Sequence, residues 1–170
     1  MKLPVVDTWY RDGLSFECTQ CGNCCTGGPG YVWMSDVEVG RLAEYLKLSV
    51  GEVRRRYLRK LQGRVSLRET KTEAGLYDCV FLTTSTTSQT LPDGSTREVT
   101  KRGCAIYPVR PLQCRTWPFW DGLLSSRDSW ERAKRMCPGM DKGRAYTAER
   151  IEELRTAKDW PESPPTSAAT

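Results

Sequence analysis

Eight cysteines and no histidine set the chemistry open to this chain of 170 residues. Four of the thiols, Cys18, Cys21, Cys24 and Cys25, fall in one stretch, FECTQCGNCCTGGPG, and Cys79, Cys104, Cys114 and Cys137 are spread along the rest. With no imidazole, Cys/His zinc fingers, facial-triad irons and catalysis by a histidine base are excluded, so a metal held here is held by thiolates. A C-x2-C step lets two thiolates converge from one tight turn whose backbone amides can donate to sulfur. The glycines at 22, 27, 28 and 30 supply the backbone freedom such a turn needs.

Two successive steps, Cys18-x2-Cys21-x2-Cys24, match the tight run of cluster ferredoxins better than zinc ribbons, which present separate pairs far apart. Cys137 is followed by proline, as is the distal cysteine of that run. The expected cofactor is therefore an iron–sulfur cluster, of the four-iron, four-sulfide kind, with zinc as the alternative. Eight thiols suit two four-thiolate sites, or one cluster and a separate zinc. Adjacent residues do not readily aim at one atom, so Cys24 and Cys25 are expected to face different metal atoms or different sites.

The N-terminus, MKLPVVDTWYRDG, breaks its apolar stretch at Pro4 and Asp7 and lacks the apolar core of a secretory signal. The expected compartment is the reducing cytoplasm, where metal ligation by these cysteines is favoured over a disulfide framework. No apolar run approaches the length of a membrane span. The net charge of +5 gathers in RRRYLRK (54–60) and TKRGCAIYPVRPLQCR (100–115). The first reads as a solvated basic helix face, so nucleic acid is not the expected partner. In the second, Arg110 and Arg115 flank Cys114. A tetrathiolate site carries a net charge of about −2 that nearby cations offset, so both arginines are expected to stand beside the ligands. An arginine–carboxylate pair fixing the turn is the plainer alternative.

The elements that must position these thiols read as an α+β fold: a small single domain of helices and a short antiparallel hairpin or sheet organised around the cysteine-ligated site. Trp9, Tyr10 and Leu14 of an irregular lead-in are expected to pack on it. Ser35 with Glu38 and Ser49 with Glu52 have capping-box spacing. Helices are predicted after both, the first burying Val39, Leu42, Ala43 and Leu46, the second running through SVGEVRRRYLRKL with Val53, Tyr57 and Leu61 on one face. Beyond Gly63, segments rich in Val, Thr, Leu and Tyr predict strands, with a hairpin arm over 80–102 turning at LPDGS. The prolines and aromatics around Cys114 suggest a rigid turn and short helix. RDSWERAKRMC and 147–159 predict two more helices. The organisation expected is a metal-binding domain over 1–145, a helix over 146–160 packed on it, and a disordered tail over 161–170.

FECTQCGNCC, then CVFL, then CAIYPVRPLQCRTWPFW, then CPG, together resemble the YkgJ-type CxxCxxCC cysteine-cluster family of bacteria, zinc- or iron-chelating by description, over roughly residues 14–140. Cys104, Ile106, Tyr107, Arg110, Pro111, Cys114, Arg115, Pro118 and Phe119 fall in the places of its C-x-I-Y-x-x-R-P-x-x-C-R-x-[YW]-P-F core. Trp117 stands where tyrosine is common, Val80 where proline is common, and the stretch from Cys79 to Cys104 is longer than usual. The resemblance implies metal binding by all eight cysteines. It reaches distantly to flagellin lysine-N-methylases, but no glycine-rich nucleotide loop follows a strand here. An enzyme reading would have Glu17, Asp78 or Asp121 as its acid or base, each more simply a surface carboxylate; the catalytic residues are unassigned. The leading expectation is a structural or electron-transfer metal protein with a redox or other protein partner; the alternatives are a relative of lysine methylases and a zinc-stapled nucleic-acid or protein interaction module.

Overall fold

The computed structural model describes residues 8–157. In chain order its elements begin with β1 (Leu14–Phe16), β2 (Thr26–Gly27), α1 (Asp36–Leu46), α2 (Val50–Tyr57), β3 (Leu58–Leu61), β4 (Arg64–Leu67), β5 (Glu69–Lys71) and β6 (Tyr77–Cys79). They continue with β7 (Leu82–Thr90), β8 (Thr96–Cys104), α3 (Leu112–Arg115), α4 (Asp121–Leu124), α5 (Arg127–Lys134), β9 (Met140–Tyr146) and α6 (Ala148–Thr156). Every strand pairing is antiparallel, in small separate sheets, so the α+β class expected is the class found. The chain divides into two compact units: Cys18–Pro111, and a discontinuous one made from the segments before and after it.

In the Cys18–Pro111 unit both capping boxes form. Ser35 and Ser49 each accept the amide of the glutamate three residues on, and each glutamate carboxylate accepts the serine amide in return. Lys47, at φ 54°, ends α1 and turns the chain into α2. Val39, Leu42 and Val53 are fully buried, packing with Leu58, Leu67, Phe81 and Ile106, and burying each such side chain contributes roughly 1.5–3 kcal/mol. The second helix is shorter than the sequence suggested: it stops at Tyr57, and Leu58–Leu61 is a strand paired with Arg64–Leu67. Gln62 and Gly63 both hold positive φ, 50° and 79°, the two-residue hairpin turn that claims residues 58–61 for a ladder. The basic stretch is accordingly not one solvated face. Arg54 binds Asp36 at 2.7 Å from the helix, while Arg59 binds Glu69 at 2.8 Å from the strand. The hairpin arm forms over β7 and β8, paired from Leu82↔Cys104 to Thr90↔Thr96, with Asp93 accepting the Ser95 amide in its turn.

The discontinuous unit is built on aromatic packing. Phe119 lies between Phe16, Trp130 and Tyr146, with ring centroids 6.2, 6.1 and 4.9 Å away. Trp9 meets Tyr10 edge-on at 5.3 Å and gives its indole N–H to the Leu124 carbonyl, so the lead-in packs on the body as anticipated. The sheet of β1 with β9 was not anticipated. It places Leu14 opposite Tyr146, and Gly139 is tight enough against the Glu17 carbonyl that a β-carbon would collide. Of the terminal expectations, the tail over 161–170 lies outside the described residues.

A carboxylate network crosses this unit. Buried Tyr10 donates its hydroxyl to Glu152; Arg155 binds Glu152 at 2.7 Å and Asp121 at 2.5 Å. Asp121 therefore belongs to an ion pair that ties α4 to α6. Burial, then the bond to Glu152, push the Tyr10 phenol up from 10.0 to about 12, against the pull of Arg155. With the folded value above the unfolded one, the phenol's contribution is fully present below pH 10 and is lost as pH rises toward 12. Tyr10→Phe should cost about 2 kcal/mol in urea unfolding at neutral pH. It should also flatten the decline in stability between pH 10 and 12; a variant that keeps the full decline refutes the assignment.

Candidate metal centre

Between its thiols the Cys18–Cys25 loop carries only Thr19, Gln20, Gly22 and Asn23, so its shape comes from turns and polar contacts. Gly22, at φ 73°, opens a single 3-10 turn over Asn23–Cys25. The Cys25 amide donates back to the Gly22 carbonyl, and Arg102 holds the Asn23 side chain at 3.3 Å. A β-carbon on Gly22 would press into Leu82 and Arg102. The loop is thus fitted against the base of the β7–β8 arm.

Strand register then brings the dispersed cysteines to it. Thr26 pairs with Asp78, its hydroxyl donating to the carboxylate at 2.5 Å, and the residues next to that pair are Cys25, which ends the 3-10 turn, and Cys79, which ends β6. Asp78 is therefore a strut between the two cysteine-bearing segments. Cys104 ends β8 opposite Leu82. Arg110, stacked 3.6 Å over the Tyr107 ring, points its Nη1 at the Cys18 sulfur, 3.7 Å away.

The electrostatics fall into two classes. Cys24 is exposed, and its neighbour Cys25, 3.8 Å away sulfur to sulfur, draws its ionisation down to about 7, with a smaller contribution from Arg110. Burial pushes Cys79 up to about 11 and raises Cys104, while the amides of Phe81 and Ile106, two residues on in each case, donate toward their sulfurs and act in the opposite direction. Cys104 also feels the charges of Cys24 and Cys18, and Cys79 those of Cys104 and Cys24. Five thiols of this unit, Cys18, Cys24, Cys25, Cys79 and Cys104, thus share one electrostatic neighbourhood with Arg110. Cys21 lies in the same loop, half-buried.

Cys114 and Cys137 belong to the other unit, where the Trp117 indole donates to the Cys137 sulfur at 3.5 Å. Arg115 is exposed there and lines a cleft with Trp117. Among the described residues, no three cysteine, aspartate or glutamate side chains are arranged to hold a metal ion. What fits a metal is the chemistry of the donors: soft thiols, a guanidinium beside them, and amides directed at sulfur.

Residues 17–138 match the family model CxxCxxCC, described as a "Putative zinc- or iron-chelating domain". The chain belongs to the CxxCxxCC family. The matched span contains all eight cysteines, from Cys18 to Cys137, and it supports a metal-binding role. A relative from Methanocaldococcus jannaschii, the uncharacterized protein MJ0661, is 32% identical over 110 residues, which is 65% of this chain and 48% of the relative. The chain therefore spans about half the length of that archaeal protein. No solved structure gives a significant match.

Three residues near the CxxCxxCC thiols were missed from sequence. Arg102 shares a strand face with Cys104, two residues away, and period-2 alternation could have found it. Tyr107, whose hydroxyl bonds to Cys18, sits in the recognised core but was given no task. Glu69 lies opposite Cys79, accepts the Gly30 amide at 3.1 Å, and binds Arg59, which in turn donates to the Gly30 carbonyl. Glu69→Ala removes the common acceptor and should cost about 2 kcal/mol in urea unfolding. Glu69→Gln, which keeps an acceptor, should lose less; equal losses would mean that charge alone matters at this position.

Proposed function

We propose that this CxxCxxCC protein holds an iron–sulfur cluster on its thiolates, of the four-iron, four-sulfide kind, in a structural or electron-transfer role. The observation that supports it most is the neighbourhood of Cys18, Cys24, Cys25, Cys79 and Cys104 around Arg110. These thiols, with Cys21, would be the first to hold the metal, and the cysteine pattern of the family adds Cys114 and Cys137 to the ligand set. Bound there, a cluster would supply one-electron exchange with a partner protein, whereas zinc would supply a structural tie alone. The chain's own contribution is electrostatic. Arg110 offsets thiolate charge, and the Phe81 and Ile106 amides donate to sulfur, both of which favour the deprotonated, metal-binding form.

Purification without oxygen, followed by assay of iron, zinc and acid-labile sulfide, separates the metals. A cluster gives iron and sulfide in equal amounts and visible absorption that bleaches on reduction; a colourless protein with stoichiometric zinc and no sulfide ends the iron–sulfur reading. Serine replacements then sort the ligands. Cys24→Ser, Cys79→Ser and Cys104→Ser should each lose most of the metal, while unchanged metal in Cys25→Ser would remove that residue from the set.

A further inference from the structure

The β7–β8 ladder runs nine residues without a bulge, and among the described residues no third strand pairs with either of its edges. Every β7 residue from Thr83 to Thr90 is exposed. A two-stranded ribbon on its own is marginal in water, and a further strand on its edge adds a full row of backbone hydrogen bonds. The two edges differ in chemistry. β8 carries Arg97, Glu98, Lys101 and Arg102, the last already engaged with Asn23. β7, LTTSTTSQT, carries no charged residue and no proline. Lysine, proline and bulges are the usual devices that keep a free edge from pairing with another chain, and β7 has none of them. Its threonines suit a strand and form favourable pairs across a ladder.

We propose that β7 is a docking edge for a second copy of this chain, the two β7 strands pairing antiparallel about a two-fold axis to join two ribbons into one four-stranded sheet. An interface of this symmetry needs a strand that can face itself. With no charged side chain along it, β7 meets its own copy without like-charge repulsion. The same neutrality gives it nothing with which to select a charged partner, and a neutral strand of threonine and serine is what the second copy brings. A two-fold axis perpendicular to the sheet reverses strand direction and preserves the faces. Even-numbered residues of one copy therefore stand across from even-numbered residues of the other, so Thr84, Thr86 and Ser88 meet among themselves. The unpaired N–H and C=O groups of the two edges supply the affinity, as in other strand additions. The assignment stands apart from the identity of the metal, because the pairing uses no thiol.

Sedimentation velocity of the full chain, as purified, from about 1 μM to about 1 mM tests it across ordinary and weak association. A reversible monomer–dimer equilibrium is expected, with alternate β7 amides exchanging their hydrogens more slowly as concentration rises. Thr84→Lys, Thr86→Lys and Ser88→Lys combined set lysine opposite lysine and should weaken the dimer about tenfold or more. The matching triple glutamate variant should be weakened alike, and an equimolar mixture of the two should associate again, as only folded arms can. The proposal is overturned by a chain that stays monomeric throughout, which would leave the edge to another occupant, or by an undiminished dimer in the lysine variant. It is overturned equally if the mixture fails to associate. Metal analysis on the same samples keeps the two proposals separate, since loss of metal without loss of the dimer touches only the first.

Discussion

A loop made of thiols, glycines and small polar residues cannot hold itself by burying apolar surface, so something else must hold it. In this protein that burden falls on polar contacts from neighbouring strands. The Glu69 carboxylate takes the Gly30 amide and is itself held by Arg59, and the Thr26 hydroxyl reaches Asp78 across the ladder. On the other side of the loop, Arg102 holds Asn23. The helices contribute indirectly, since α1 and α2 bury Val39, Leu42 and Val53 and give β3 and β4 a floor to rest on. The strand from which Arg59 reaches Glu69 depends on that floor.

The discontinuous unit solves a different problem. It brings together chain segments more than a hundred residues apart, and it does so with stacked rings and a partly buried ion network. Removing one partner from such a network leaves another charge uncompensated.

Features set by neighbours in sequence were legible. The two serine–glutamate boxes declare themselves in four residues each, and Pro-Asp-Gly marks the arm's turn, because both depend on local hydrogen bonds. The segment 58–61 misled because Leu58 and Leu61 suit a helix face as well as a strand edge; the Gln62-Gly63 turn that decides it is weaker as a sequence signal than Asn-Gly. The pairing of β1 with β9 and the bond from Tyr10 to Glu152 join distant positions through tertiary packing, and nothing local announces them. The same division runs through the candidate site. The Cys18–Cys25 run stands out from its spacing, and Arg110 was expected beside Cys114 whereas it reaches Cys18; Glu69 looks like any polar strand residue until register sets it opposite Cys79.

The β7–β8 arm is anchored at its root and open at its tip, with Leu82 paired to Cys104 and Thr90 to Thr96. Residues added in matched pairs near the turn lengthen the ribbon outward and leave Cys104 on the same face at the same rung. Arm length is thus free to drift while the sulfur stays where it is. A solvent-facing ribbon of this kind is a place where a lineage can try new sequence, or an engineer can insert a label, without disturbing the thiols at its base.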